Sequence, residues 1–350
     1  MKFIDSVYEK LRRHPKRILF PEGGEPRVLL AAEKLVQREL GTPILLGDKT
    51  KIVEQARAMG VSLDFVMVIN PRTASDLDLF CGYLEKLERY RRMGIQSARE
   101  ILLKPNYFAA MMLQYGQADA LVGGASDYAG SLLRPLIQIV KPMSGVKTIT
   151  SCQILVLEER AHFGEDGVFF MADCGVVPHP DVEQLGNIAY RSGLFARQVL
   201  GVTPRVALLS FSTKGSAKTP ETERVVTATE IARELARADG VEMDIDGELQ
   251  ADAAIIPELA EIKVPGSRVA GKANVLVFPD LNSGNIASKL VTHLAGAKAY
   301  GQVLLGLSRP AVDVPRGATV DEMVALAAVA GLQAIEYRKL YPVELGLGKL

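Results

Sequence analysis

Four stretches of the chain carry residue types that could work on an anion. In RVALLSFSTKGSAKTPETERVV, residues 205–226, an apolar run opens into Ser210, Ser212, Thr213, Gly215 and Ser216, with Lys214 and Lys218 among them. Thr219, Pro220 and Glu221 then read as an N-cap, a first-turn proline and an acidic first turn. Hydroxyls, free amides and a helix start together suit a phosphate, although a polar turn that merely caps a helix uses the same residues. In ANVLVFPDLNSGN, residues 273–285, an apolar run delivers Asp280, Asn282, Ser283 and Asn285 at its carboxyl end, where open α/β sheets hold ligands. Asp280 there is either a base or an ordinary turn-forming residue. In ADALVGGASDYAGSLLRP, Gly123 and Gly124 permit close approach of a backbone or ligand, and Arg134, beside a proline, could clamp a phosphate through two N–H groups or simply be a solvated helix start. In LGLSRPAVDVPRGATVDE, Arg316 stands beside Gly317 in a loop leading to a helix, and Pro315 before it offers neither a hydroxyl nor an N–H. Neither G-x-x-x-x-G-K-[ST] nor G-x-G-x-x-G occurs, so these are not the usual nucleotide loops.

Such loops need a scaffold, and the sequence supplies one. Short apolar runs bounded by Gly, Pro or Asn recur as RILFPEGG, TPILLGD, FVMVINP, ADALVGGAS, TITSCQILVLEE, GVFFMADCGVV, RVALLSFSTKG, ANVLVFPDLNSGN and QVLLGLSRP. They read as buried strands. Helix-period segments lie between them: EPRVLLAAEKLVQREL, DVEQLGNIAYRSGLFARQVL, ETERVVTATEIARELARA and TVDEMVALAAVAGLQAIEYRKL. This alternation predicts an α/β fold with mainly parallel sheets. A length of 350 residues suggests two domains, and KPMSGVK, residues 141–147, is the expected crossing into the second.

Composition removes several function classes. Forty-one basic and forty-one acidic side chains cancel without long blocks of either sign, leaving no footprint for nucleic acid or an anionic membrane. Small molecules are the expected partners. The N-terminal MKFIDSVYEKLRRHPKR is charged and amphipathic, unlike a signal peptide, and no later run reaches membrane-spanning length, so a soluble cytoplasmic protein is expected. Cys81, Cys152 and Cys174 never form C-x-x-C and the four histidines are scattered, so no metal is expected and the cysteines read as small buried hydrophobes.

Together the motifs resemble the phosphate acetyl/butyryl transferase family, the phosphotransacetylases. FPEG with RVLLAAEKL, NYFAAMM, RPLIQIVK, ADCGVVPHPDVEQLGNIA, LLSFSTKGSAK, DGELQADAAI, ANVLVFPDLNSGNI and the closing RGAT carry the resemblance in order along nearly the whole chain. It implies two α/β domains of the isocitrate/isopropylmalate dehydrogenase architecture with an interdomain cleft, and a homodimer. The expected domains are residues 1–145 plus 298–350 and residues 146–297. The implied reaction is reversible transfer of an acetyl group, or a propionyl or butyryl group, between coenzyme A and phosphate. Coenzyme A is then a substrate, and no cofactor is held permanently.

Carried over residue by residue, the resemblance makes Arg316 and Glu322 catalytic. It assigns phosphate or coenzyme A binding to Arg134, Arg91, Ser210, Ser212, Thr213, Gly215, Ser216, Asn282, Asn285 and His293. The chain departs from the family pattern at Pro315, where a serine is usual, at Glu322, where an aspartate is usual, and at His293, where an arginine is usual. Gly123, Asp127 and Tyr128 also replace the usual residues. A catalytically silent acyl-CoA-binding regulator is the alternative these departures raise, as is a pocket reshaped for a larger acyl group. A nicotinamide-dependent decarboxylating dehydrogenase would need a cluster of metal-binding aspartates and a dinucleotide loop, and neither is evident.

Overall fold

Each of the nine apolar runs becomes a strand in the computed structural model, which describes residues 3–87, 97–126 and 129–340. The chain divides into two units, Met1–Ser144 with Leu307–Leu350, and Gly145–Gly306.

In the first unit β1 (Lys16–Phe20), β2 (Gly41–Leu46), β3 (Met67–Ile69), β4 (Ala120–Gly123) and β11 (Ala311–Asp313) form a wholly parallel array in the order β3-β2-β1-β4-β11. Helices α1 (Phe3–Arg12), α2 (Pro26–Gln37), α3 (Lys49–Met59), α4 (Leu77–Lys86), α5 (Ala98–Leu102), α6 (Pro105–Gln114) and α7 (Ala129–Ile139) connect them. The C-terminal helix α13 (Val320–Leu340) packs on β1, β4 and β11 and on α1 and α2. Its residues Met323–Ala330 are all buried. A helix that is apolar on every side belongs in a core, and each large side chain there contributes roughly 1.5–3 kcal/mol.

The second unit combines an antiparallel edge with a parallel sheet. Strand β10 (Lys298–Leu305) pairs antiparallel with β5 (Thr150–Val156), which pairs antiparallel with β6 (Val168–Ala172). β6, β9 (Val275–Val277), β7 (Arg205–Leu209) and β8 (Asp244–Leu249) then continue in parallel. Helices α8 (Val182–Leu200), α9 (Pro220–Ala238), α10 (Ala251–Ile255), α11 (Pro257–Lys263) and α12 (Leu281–Leu294) complete the unit. Its core includes Leu155, Phe169, Met171, Leu209, Leu276 and Phe278.

Three sequence expectations change. Strand β10, expected to reopen the first domain at residue 298, belongs to the second unit because six of its residues pair with β5; the return falls at Gly306/Leu307. Strands β8 and β11 escaped the periodicity. β8 carries Asp244, Asp246 and Glu248 and so looks like a polar loop, but Asp246 and Glu248 are buried with partners. β11 is only three residues long. Finally, Cys152 and Cys174 are buried as expected, whereas Cys81 is half-buried. Burial raises the pKa of both buried thiols, with Asp173 adding to it, so neither is a ready nucleophile.

Among the described residues no helix is long and apolar enough to cross a membrane.

Candidate functional site

Parallel strands present their carboxyl ends on one edge, and in the first unit the neighbours β1, β4 and β11 deliver three loops there. The loop after β1 is Pro21–Glu25, that after β4 begins Gly124–Ser126, and that after β11 is Val314–Thr319. Hydrogen bonds tie them together. The Val314 N–H donates to Gly123 O at 2.7 Å. Glu22 accepts from the Ala125 N–H at 2.8 Å, and from the Ser126 N–H and hydroxyl at 2.7 and 2.8 Å. At Gly124, φ is +97° and a Cβ would lie 2.2 Å from Asp313 Oδ1, so only glycine lets the two strand ends close up.

Beside this edge lies a cavity of about 730 Å³. Glu22 and Gly24 line it from the first loop, Ser126 from the second, Lys104, Asn106 and Tyr107 from the start of α6, and Ser131 and Arg134 from α7. Its charges are unequally committed. Glu22 is held by the amides above, and Glu25 pairs with Arg27 at 2.6 Å. Lys104 and Arg134 are exposed, and among the described residues neither charged end has a hydrogen-bond or ion-pair partner. The same holds for Arg316, exposed on the loop after β11. Arg134 sits inside α7 immediately before Pro135 rather than at a helix start. An uncommitted arginine is available for a bidentate contact with phosphate.

The carboxylates nearby have distinct environments. Asp313, at the end of β11, has its pKa pushed up to about 7 by burial and by the negative charge of Glu22. Glu322 lies in the first turn of α13 and closes a capping box. Its Oε2 accepts from the Thr319 N–H at 2.7 Å and from the Thr319 hydroxyl at 2.9 Å, while its own N–H donates to Thr319 Oγ1 at 3.3 Å. Asp321 beside it pairs with Lys34 at 3.1 Å and Arg38 at 3.4 Å. The carboxylate that the resemblance makes catalytic therefore spends one oxygen on its helix, leaving Oε1 without a partner among the described residues.

In the second unit the hydroxyl-rich loop is bonded inward. The Ser212 hydroxyl donates to Glu248 Oε1 at 3.0 Å and the Gly215 N–H donates to the same oxygen at 2.7 Å. Ser216 Oγ accepts the Thr213 N–H at 3.1 Å, Ser210 Oγ accepts the Ser212 N–H at 3.3 Å, and Thr213 Oγ1 lies 3.3 Å from Gln250 Oε1. The anion that Ser212 and Gly215 hold is thus the buried carboxylate of Glu248, which corrects the expectation that both donors are open to a ligand. Ser216 remains exposed. Thr219, Pro220 and Glu221 open α9 as expected, through a capping box between Thr219 and Thr222.

Asp280 is the N-cap of α12, accepting from the Ser283 N–H at 2.8 Å, so the turn-forming reading holds over the base. Asn285 donates to Cys174 O at 3.0 Å, while Asn282 and His293 are exposed on the same helix. Gly284 is needed because a Cβ there would lie 2.3 Å from Asp173 O. The Asp173 carboxylate accepts the N–H groups of Gly175, Val176 and Val177 and the hydroxyls of Thr150 and Ser151, so the ADCGVV motif secures a turn. Arg91, Asp127 and Tyr128 lie outside the described residues.

Four contributors were not singled out in the sequence. Lys104 precedes the NYFAAMM landmark, and Glu22 and Arg27 belong to the FPEG landmark, so each sat in or beside a motif without a role. Asp313 had no local signal, because its environment comes from Glu22 and the sheet.

Residues 2–331 match the family described as Phosphate acetyl/butaryl transferase. The chain belongs to that family. A Phosphate acetyltransferase from Thermoanaerobacterium thermosaccharolyticum is 42% identical over 334 residues, covering 95% of this chain and 100% of the relative. The crystal structure of a phosphotransacetylase from Streptococcus pyogenes is 35% identical, with a TM-score of 0.87 over 95% of this chain and 98% of its own. A Salmonella typhimurium structure named for a 4-hydroxythreonine-4-phosphate dehydrogenase aligns with a TM-score of 0.51 at 12% identity, over 91% of this chain and 99% of its own. That likeness shows the fold alone.

Proposed function

We propose that this member of the family transfers an acetyl or other short acyl group reversibly between coenzyme A and phosphate. The observation that carries the reading is the set of uncommitted cations at the carboxyl edge of the first sheet, Arg134 and Lys104 on the cavity and Arg316 on the loop after β11. The curated relative named Phosphate acetyltransferase, matched over its full length, supports it.

The chemistry sets three demands. The coenzyme A thiol, with a pKa near 8.5 for an ordinary thiol, must lose its proton before it attacks the acyl carbonyl. Glu322 Oε1 is the proton acceptor in this proposal. Negative charge then builds on the carbonyl oxygen and on the departing phosphate, and Arg316 and Arg134 meet it with planar N–H pairs. Thiol, carbonyl and phosphate must also be held in line, a task for the loops after β1, β4 and β11. The thiol proton passes to Glu322 and from there to the departing phosphate or solvent, the carbon–sulfur bond forms and the carbon–oxygen bond to phosphate breaks, so neither redox chemistry nor a covalent enzyme intermediate is needed. We further propose that coenzyme A acts as substrate rather than resident cofactor and that the protein is a homodimer, as the family resemblance implies, and that it works in the cytoplasm, as its charged N-terminal sequence suggests.

A second reading is favoured by two observations. Pro315 supplies no donor beside Arg316, and Glu322 is partly consumed by its cap. A protein that binds acyl-CoA without turning it over would have these features. The deciding experiment follows thioester formation by ultraviolet absorbance with purified protein, coenzyme A and acetyl, propionyl and butyryl phosphate. Turnover in the usual enzyme range of about 1–1000 per second establishes the transferase, and the best substrate gives the acyl group. Binding of acetyl-CoA in calorimetry without turnover establishes the regulator.

A further inference from the structure

Arg27, in the first turn of α2, lies outside the loop that carries Arg316, yet its guanidinium reaches across to it. Nη1 donates to Arg316 O at 2.6 Å and to Ala318 O at 3.1 Å. Nη2 donates to Ala125 O at 2.8 Å, and Nε donates to Glu25 Oε1 at 2.6 Å. One planar group therefore joins three loops that come from strands β1, β4 and β11. Glu22, in the loop after β1, completes the brace, accepting the N–H groups of Ala125 and Ser126.

We infer that Arg27 is a positioning residue, which fixes the main chain of Arg316 and thereby aims the Arg316 side chain at the transferring group. This rests on the role given to Arg316 above. The physical reason is the shape of the guanidinium. The Pro315–Ala318 turn is closed internally by one backbone bond, Ala318 N–H to Pro315 O at 2.9 Å, and its residues 315–317 are exposed. A turn held by so little would sample several orientations. Two Arg27 bonds to its carbonyls select one orientation, and the bond to Ala125 O registers it against the loop after β4. Three carbonyls and a carboxylate around one rigid fork cannot be reproduced by an ammonium, which has a compact charge on a flexible stem. Arg27 does not need to touch substrate to act, because displacement of a catalytic group by about 1 Å can cost on the order of a hundredfold in rate.

The test uses the full-length protein with Arg27→Lys, Arg27→Met and Arg27→Ala. The expected result is that all three variants lose about a hundredfold in kcat with KM for coenzyme A changed less than about threefold, that Lys restores little, and that added guanidinium partly restores Arg27→Ala. Amide hydrogen exchange provides a readout independent of activity: peptides covering residues 314–319 should exchange faster in Arg27→Met, while peptides covering α8 and α9 in the second unit should not. Unchanged exchange at 314–319, or full activity in Arg27→Lys, overturns the positioning role. A uniform rise in exchange throughout the first unit also overturns it, since Arg27 would then be a general stability residue. If the wild-type protein turns over no acyl phosphate, the proposed activity fails, and the exchange comparison still decides whether Arg27 orders the Arg316 loop.

Discussion

Thr319 and Glu322 cap each other's backbone: the Thr319 N–H donates to Glu322 Oε2 at 2.7 Å, and the Glu322 N–H donates to Thr319 Oγ1 at 3.3 Å. One carboxylate thus serves the helix with one oxygen and is proposed to serve the reaction with the other. Glu322→Gln separates these tasks, because glutamine closes a capping box as well as glutamate does but cannot accept a thiol proton. Its stability in chemical denaturation should stay within about 0.5 kcal/mol of wild type, with turnover down about a hundredfold or more. Thr319→Ala should do the reverse, costing about 1 kcal/mol of stability through the lost cap. Full turnover in Glu322→Gln would remove the proton-acceptor role.

Asp313 gives a pH signature. Its folded pKa, about 7, lies above the ordinary 3.8 because of burial and Glu22, so between those values the folded protein holds a proton that the unfolded chain releases. Stability should therefore fall as pH rises through that window and stay lowered above it. The gap corresponds to on the order of 4 kcal/mol as an upper bound. Asp313→Asn cannot ionise, so its melting temperature should exceed that of wild type at pH 8, with the difference shrinking towards pH 4. Parallel profiles for the two proteins would show that Asp313 ionises freely.

Arg134 is exposed and makes no partner contact among the described residues, so it should matter for ligand and not for folding. Arg134→Lys should leave stability within about 0.5 kcal/mol of wild type. Its kcat/KM should drop roughly tenfold to a hundredfold, because a point charge replaces a two-pronged contact. A change in melting temperature without a change in kinetics would contradict its place in the site.

Pro315→Ser adds the hydroxyl absent beside Arg316 while keeping the carbonyl that accepts the Ala318 N–H at 2.9 Å. If a missing donor limits the rate, turnover measured by thioester absorbance should rise at least tenfold, short of the roughly hundredfold to thousandfold worth of a well-placed donor. No change in rate would mean that the site works without it.

Glu248 is buried and holds the Ser212 hydroxyl and the Gly215 N–H. Glu248→Ala takes the acceptor from the Gly215 N–H and leaves the Ser212 hydroxyl with Ser216 Oγ at 3.1 Å and Ala217 O at 3.3 Å, which should cost about 1–3 kcal/mol in denaturant unfolding. A loss under about 0.5 kcal/mol would show that water or a bound anion replaces the carboxylate with ease.

The residues alone determined the α/β class, the nine strands read from apolar runs and the Thr219 cap of α9. These features are local: burial on both faces of a parallel strand gives an unbroken apolar run, and a cap needs only its own first turn. Tertiary structure decided the rest. It turned Ser212 and Gly215 inward, because Glu248 arrives from a strand 33 residues beyond Gly215. It made a buried strand of polar β8 by bringing Lys214, Arg233 and Ser267 to Asp246. It assigned β10 to the second unit through pairing with β5, and it set Arg27 on the carbonyl of a residue 289 positions away. Hydrogen-bond partners at such separations leave no periodic trace in a sequence window, so only the folded chain reveals which polar groups are already satisfied and which remain for a ligand.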